Sequence, residues 1–218
     1  MKIVVFAFII FLTFLFVILL TFANIIWKNK YGTKLRLFVS YIWFLLVISL
    51  GIIWSKKKII SIPTKPISIL DTFLFLLLIT PFIFYSGYKI KKDIKNVLPF
   101  CLIFPIGEEI MFRGIILNLL PIAIGTSDIM IPFPLLKEVT LQVLISAFLF
   151  GIMHLQYFKF RISKDTMIKI LFAFIFGIFM GNLVELTNSL LYPIIFHIIA
   201  NAGATVYFIR NSNKQIAN

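Results

Sequence analysis

The chain has 218 residues, 61% of them apolar and only 13% charged, with a formal net charge of +13. That apolar share exceeds the roughly half usual in water-soluble domains and excludes an ordinary soluble fold, while the length leaves room for one compact membrane domain and no second soluble one. The positive charge does not mark a nucleic-acid partner: lysines and arginines stand in short clusters beside apolar runs, as at Lys56, Lys57 and Lys58 or at Lys89, Lys91, Lys92 and Lys95, where basic groups set topology and meet anionic membrane lipids.

About 20 consecutive apolar residues span a bilayer core, and the chain reads as seven such runs. The first, 3–27, follows Met1 and Lys2; it exceeds the roughly 7–15 residues of a signal-peptide core and no Ala-x-Ala site follows, so a retained span is expected. The second, 37–54, is flanked by Lys34 and Arg36 before it and by the lysine triplet after it. The third, 67–88, carries Asp71 near its start, a candidate helix cap, and Pro81 inside, where a kink is expected. A basic linker leads to the fourth run, 97–124, and a polar loop with Pro132 and Pro134 leads to the fifth, 139–157. Lys159, Arg161 and Lys164 close the fifth; the sixth is 167–184, the seventh 189–209, and the tail is polar.

The expected fold is therefore all-α: a polytopic helical integral membrane protein of about seven spans around a buried polar cavity. Residues 1–96 form an N-terminal part of about three spans, 97–209 a core of about four, and 210–218 a tail. Most Lys and Arg fall in the linkers after spans one, three and five and in the tail, which puts the C-terminus in the cytosol and the N-terminus outside. The lysine triplet at 56–58 falls on the opposite side in this arrangement. Cys101 is the single cysteine, so no intrachain disulfide can form, and its apolar surroundings suit a packed small side chain rather than a nucleophile.

Ionisable groups inside a membrane cost roughly 2.5–3.5 kcal/mol each on insertion scales, so they are rare and purposeful. In the last four spans they are Glu108, Glu109, Arg113, His154, Glu185 near an end, and His197. Glu109 and Arg113 are four apart, share a helix face and can pair; Glu108 lies about 100° around the helix and can meet a different partner. His197 and Asn201 share a face at the same spacing, and His154 follows Phe150 by four. Gly177 and Gly181 have the small-xxx-small spacing that lets helices approach closely.

A carboxylate beside an imidazole can activate water and pass on a proton, and a second histidine with an asparagine can donate hydrogen bonds to an oxyanion. The same residues admit blander readings: a Glu–Arg pair as structural glue, a buried histidine as a satisfied hydrogen bonder, or two Glu and two His around zinc, although the H-E-x-x-H pattern is absent. A proton-relay transporter is disfavoured by the few acidic residues in the first three spans.

Glu108-Glu109-x-x-x-Arg113, Phe150-x-x-x-His154 and His197-x-x-x-Asn201, in that order, resemble the three motifs of the CAAX protease and bacteriocin-processing (Abi) family, which includes the type II CAAX prenyl endopeptidases. The resemblance covers roughly residues 97–205 and implies a membrane glutamate protease with no metal and no cofactor. It assigns Glu108 as the water-activating base assisted by His154, His197 and Asn201 as the oxyanion site, and Arg113 as the group that holds the glutamates, with Glu109 its partner. It implies a peptide or protein substrate without naming it. Relatives that act as non-proteolytic scaffolds or in bacteriocin self-immunity leave a binding role open. The Ile, Phe, Lys and Asn bias suggests an AT-rich bacterial genome and hence a bacterial cell membrane.

Overall fold

A computed structural model describes residues 1–28, 30–54, 61–85, 93–125 and 129–217, with side chains omitted at 85 and 212–217. The lysine triplet at 56–58 and Lys89, Lys91 and Lys92 lie outside the described residues. The chain is a polytopic helical membrane protein. Helix α1 (Lys2–Thr13) and α2 (Leu15–Ile26) carry the first apolar run and meet at a 64° bend. At the bend Thr13 Oγ1 donates to Ile9 O at 2.9 Å, a back-bond of the kind that bends helices. Helix α3 (Gly32–Trp54) buries Leu35, Val39, Trp43, Val47 and Gly51, one stripe at four-residue spacing. Its other faces are apolar too and stay exposed, as at Phe38, Leu45 and Ile52, the pattern of a helix whose solvent is lipid.

Helix α4 (Ile69–Tyr85) contains Pro81. The Ser68 hydroxyl starts it, accepting from Asp71 N at 3.0 Å and donating to Asp71 Oδ2 at 2.7 Å, so Asp71 serves the helix end. The fourth run is one long helical path in five pieces: α5 (Ile94–Leu98), a π-helical stretch (Pro99–Ile103), α6 (Phe104–Glu109), a second π-helical stretch (Ile110–Ile116) and α7 (Leu117–Ile124). The polar loop expected around Pro132 and Pro134 folds instead as an antiparallel hairpin of β1 (Met130–Phe133) and β2 (Lys137–Thr140), with Ile131 opposite Val139. Thr140 ends the hairpin and caps α8 (Leu141–Met153), accepting from Val143 N at 3.2 Å and donating to Glu185 Oε1 at 2.7 Å.

A 3₁₀ turn (His154–Phe158) extends α8. Helix α9 (Lys164–Thr187) starts at a Ser163 cap and ends at Asn188 in the left-handed region, φ 54°; α10 (Leu191–Ala217) closes the chain. Four helices are long and apolar enough to cross a membrane, five if the bent α1–α2 pair counts as one span. The remaining two of the seven runs lie in the 17-residue α4 and the π-interrupted path through α6. The first falls short in length alone; the second is broken into pieces of eight residues or fewer and carries Glu108, Glu109 and Arg113.

Glycines set the closest approaches. A Cβ at Gly177 would stand 2.9 Å from Ala147 Cβ and 3.0 Å from its Cα, and one at Gly181 would stand 2.9 Å from Val143 Cγ1. Helices α8 and α9 thus meet backbone to backbone, as small-residue spacing permits in lipid. At one end of the bundle the segment between α3 and α4 is stitched to the α9–α10 turn. Thr64 N and Oγ1 both donate to Thr187 O, at 2.9 and 3.0 Å; Ser61 Oγ donates to Asn188 O, and Ser189 Oγ donates to Ser61 O. The opposite end holds Arg36, Asn96, Lys159 and Lys169, which line the mouth of a cavity.

Candidate functional site

Six of the residues singled out by the sequence converge. Glu108 and Glu109 end α6 and Arg113 lies in the π-helical stretch that follows; all three side chains are buried. Arg113 Nη1 is 3.2 Å from Glu109 Oε2 and 3.3 Å from Oε1. Its Nη2 donates to Gly177 O at 3.2 Å, and its guanidinium carbon lies 4.4 Å from the centre of the Phe150 ring. The pair is therefore tied to α9 by a main-chain acceptor and covered by an aromatic face, which suits a planar cation.

Glu109 has a second partner beyond the arginine. Its Oε1 is 2.7 Å from His197 Nδ1. The carboxylate can only accept, so Nδ1 carries the proton there. The other ring nitrogen, Nε2, lies 3.7 Å from Glu108 Oε2. Arg113, Glu109 and His197 form a line that joins the fourth run to α10, and Glu108 stands at its end. The two adjacent glutamates therefore do face different ways, yet both reach the same imidazole.

His154 opens the 3₁₀ turn. Its Nδ1 donates to Phe150 O at 2.8 Å, which leaves Nε2 as a lone-pair nitrogen in the neutral ring. In a 3₁₀ turn residues three apart eclipse, so Tyr157 stands over His154 with ring centres 5.6 Å apart. Its hydroxyl donates to Glu108 Oε1 at 2.8 Å. Tyr157 does not stand out in the sequence because it is uncharged and ends an apolar run; its i, i+3 spacing from His154, which shares a face in either helix type, is the signal that points to it.

Asn201, one helical turn past His197, is tied to the fourth run. Phe104 N–H reaches back to Pro99 O in the π-helical stretch, and Pro105 has no N–H to offer. Asn201 Nδ2 donates to Phe100 O at 2.8 Å.

Glu108, His154, His197 and Asn201 all line one cavity of about 780 Å³ that reaches the basic end of the bundle. Phe82, Phe104, Phe172 and Phe176 make its shaft apolar. Glu109 and Arg113 do not line it; they back the wall. Glu185 lies away from the cluster, against Thr140, and Cys101 contacts Thr205 Oγ1 at 3.4 Å rather than any group of the site.

A family model for "Type II CAAX prenyl endopeptidase Rce1-like" proteins matches residues 91–203, a stretch that holds all six of these side chains. No curated protein and no solved structure matches the chain. The match covers more than half the sequence and includes the three motifs read from it. The chain belongs to the Rce1-like family of type II CAAX prenyl endopeptidases.

Proposed function

We propose that the protein is an intramembrane endopeptidase that hydrolyses a peptide bond with water activated by Glu108 and His154, without a metal ion. The observation that carries this reading is the shared cavity: a carboxylate and a lone-pair imidazole nitrogen face the same apolar shaft. A peptide enters from the basic end, which the positive-inside rule places in the cytosol. Glu108 takes a proton from water as the oxygen attacks the carbonyl carbon, and His154 Nε2 assists and relays the proton to the leaving amine. Tyr157 holds Glu108 in place by its 2.8 Å hydrogen bond.

The oxyanion falls to His197 and Asn201. Asn201 spends one Nδ2 hydrogen on Phe100 O and keeps a second to donate. His197 donates Nδ1–H to Glu109, so it offers an Nε2–H only as imidazolium. Such preset donors in a dry site are worth about 2.7–4 kcal/mol each to acyl transfer. Arg113 holds Glu109, and through it His197.

Cleavage of reconstituted peptide substrates by the purified protein tests the reading. Glu108→Ala and His154→Ala are expected to abolish cleavage while the protein inserts and keeps its melting temperature, and chelators are expected to leave the parent's activity unchanged. Full activity in Glu108→Ala would overturn the assignment. A cellular phenotype that survives Glu108→Ala would instead support the non-proteolytic alternative, a binding or self-immunity role on the same fold.

A further inference from the structure

Helix α2 is a wall of the cavity that apolar contact alone holds in place. Among the described residues, no side-chain hydrogen bond or ion pair joins Leu15–Ile26 to another element. Between helices in lipid such contact carries no hydrophobic driving force, because acyl chains are as apolar as the side chains they replace. A helix held in this way parts from its neighbours at small cost.

Both ends of α2 are jointed. It meets α1 at the 64° bend around Phe14. At its other end α3 begins at Gly32, where φ is 44° and nothing stands within 4 Å of where a Cβ would be. The two faces of α2 border different spaces. Phe16, Leu20 and Asn24 follow one another at four-residue spacing, and Leu20 and Asn24 line the cavity that holds Glu108. The other face, with Ile18 and Thr21, lines a lipid-exposed groove of about 470 Å³ that it shares with Phe160. The helix therefore has room on the side away from the cavity.

Phe16 is where this wall meets the reacting groups. It is buried, and its ring lies 6.4 Å from the Tyr157 ring and 5.4 Å from Phe104. It also stands edge-on to Trp43 at 6.1 Å, and Trp43 packs on Gly107, the residue before Glu108. Tyr157 in turn donates to Glu108 Oε1 at 2.8 Å. Ring pairs of this kind are worth about 0.5–1.5 kcal/mol each beyond the area they bury. Withdrawal of α2 removes all three at once and leaves the Tyr157 ring without support on that side. Phe16 lies outside residues 91–203, the stretch that carries the family match.

We propose that α2 is a hinged wall of the cavity and that Phe16 is a positioning residue, which through Tyr157 sets the Glu108 carboxylate when the wall is seated. This rests on reading the cavity as the substrate site. The helix swings toward the groove to widen the entrance, closes over the peptide, and bond cleavage waits for the seated position.

Two measurements test it, both on the full-length protein in phosphatidylcholine vesicles with a dye-labelled peptide of leucine and alanine. In the first, Phe16→Ala is expected to lower kcat about tenfold with KM little changed. Phe16→Met, which refills most of the space, is expected to recover most of kcat. Phe16→Ala combined with Tyr157→Phe is expected to cost no more than the larger single effect, because both act through one hydrogen bond. Additive losses, or parental kcat in Phe16→Ala, would overturn the proposal.

In the second, Ile18→Cys and Phe160→Cys are joined by a reducible bis-maleimide in a Cys101→Ala background, which fixes the width of the groove. Glu108→Ala is added so that nothing is cut, and peptide exchange is read by fluorescence anisotropy. The cross-link is expected to slow binding and release about tenfold or more, and reductant is expected to reverse it. Unchanged exchange, with cleavage by the parent, would overturn the hinged wall and leave the protease reading standing. Slowed exchange with no cleavage by the parent would keep the hinged wall and overturn the protease reading. Absence of peptide binding with and without the cross-link would overturn the cavity as a peptide site, and the proposal with it.

Discussion

The contact between α8 and α9 makes a quantitative prediction for Gly177→Ala. The added Cβ would lie 2.9 Å from Ala147 Cβ and 3.0 Å from Ala147 Cα, where carbon atoms ordinarily rest about 3.5–4.0 Å apart. One of the two clashing atoms is main chain, so no rotamer relieves it and the helices must part by about half an ångström or more. That movement carries Gly177 O away from Arg113 Nη2, now 3.2 Å distant, beyond hydrogen-bonding range. Overpacking costs about 1–3 kcal/mol and the lost bond to a buried cation about 1.5–3 kcal/mol, against about 1 kcal/mol gained from alanine's helix propensity. The net expectation is a loss of about 1.5–5 kcal/mol, seen as a lower melting temperature in detergent together with reduced peptide cleavage. Ala147→Gly in the same chain removes the Cβ partner but leaves the Cα at 3.0 Å, and is expected to restore part of each. A single variant with the parent's stability and activity, or a double variant no better than the single, would refute the account.

Two further substitutions probe the buried line of charges. Tyr157→Phe removes the phenol that donates to Glu108; a hydrogen bond to a charged group is worth about 1.5–3 kcal/mol, so kcat is expected to fall roughly 10- to 100-fold with KM and melting temperature little changed. Unchanged kcat would remove Tyr157 from the positioning of Glu108. Glu109→Gln leaves Arg113, only 1% exposed, without its counter-charge, and is expected to cost about 3–5 kcal/mol of stability and nearly all cleavage. Adding Arg113→Gln is expected to return stability but not activity, and equal melting temperatures for the single and double variants would contradict that expectation.

Much of the arrangement is legible in the sequence because membranes make polar residues conspicuous. Glu109 and Arg113 stand out in an apolar run, and their spacing suffices to pair them. His197 is visible for the same reason, but its bond to Glu109 joins residues 88 positions apart, and no local period encodes it. The first π-helical stretch is hidden because Pro105 acts through a missing N–H rather than through hydrophobic pattern. The hairpin at 130–140 is masked by Pro132 and Pro134, which read as loop; Pro132 is tolerated because a two-stranded ribbon is all edge. The bend at Phe14 has no proline or glycine to announce it, only the Thr13 hydroxyl.

The stitched end of the bundle has a consequence for access. No residue of the Thr187–Ser189 turn or of the Ser61–Thr64 segment lines the cavity, and four hydrogen bonds tie these two segments together. If the cavity is the substrate site, as proposed, this end serves as an anchored floor, and exchange of substrate and product falls to the other faces of the bundle.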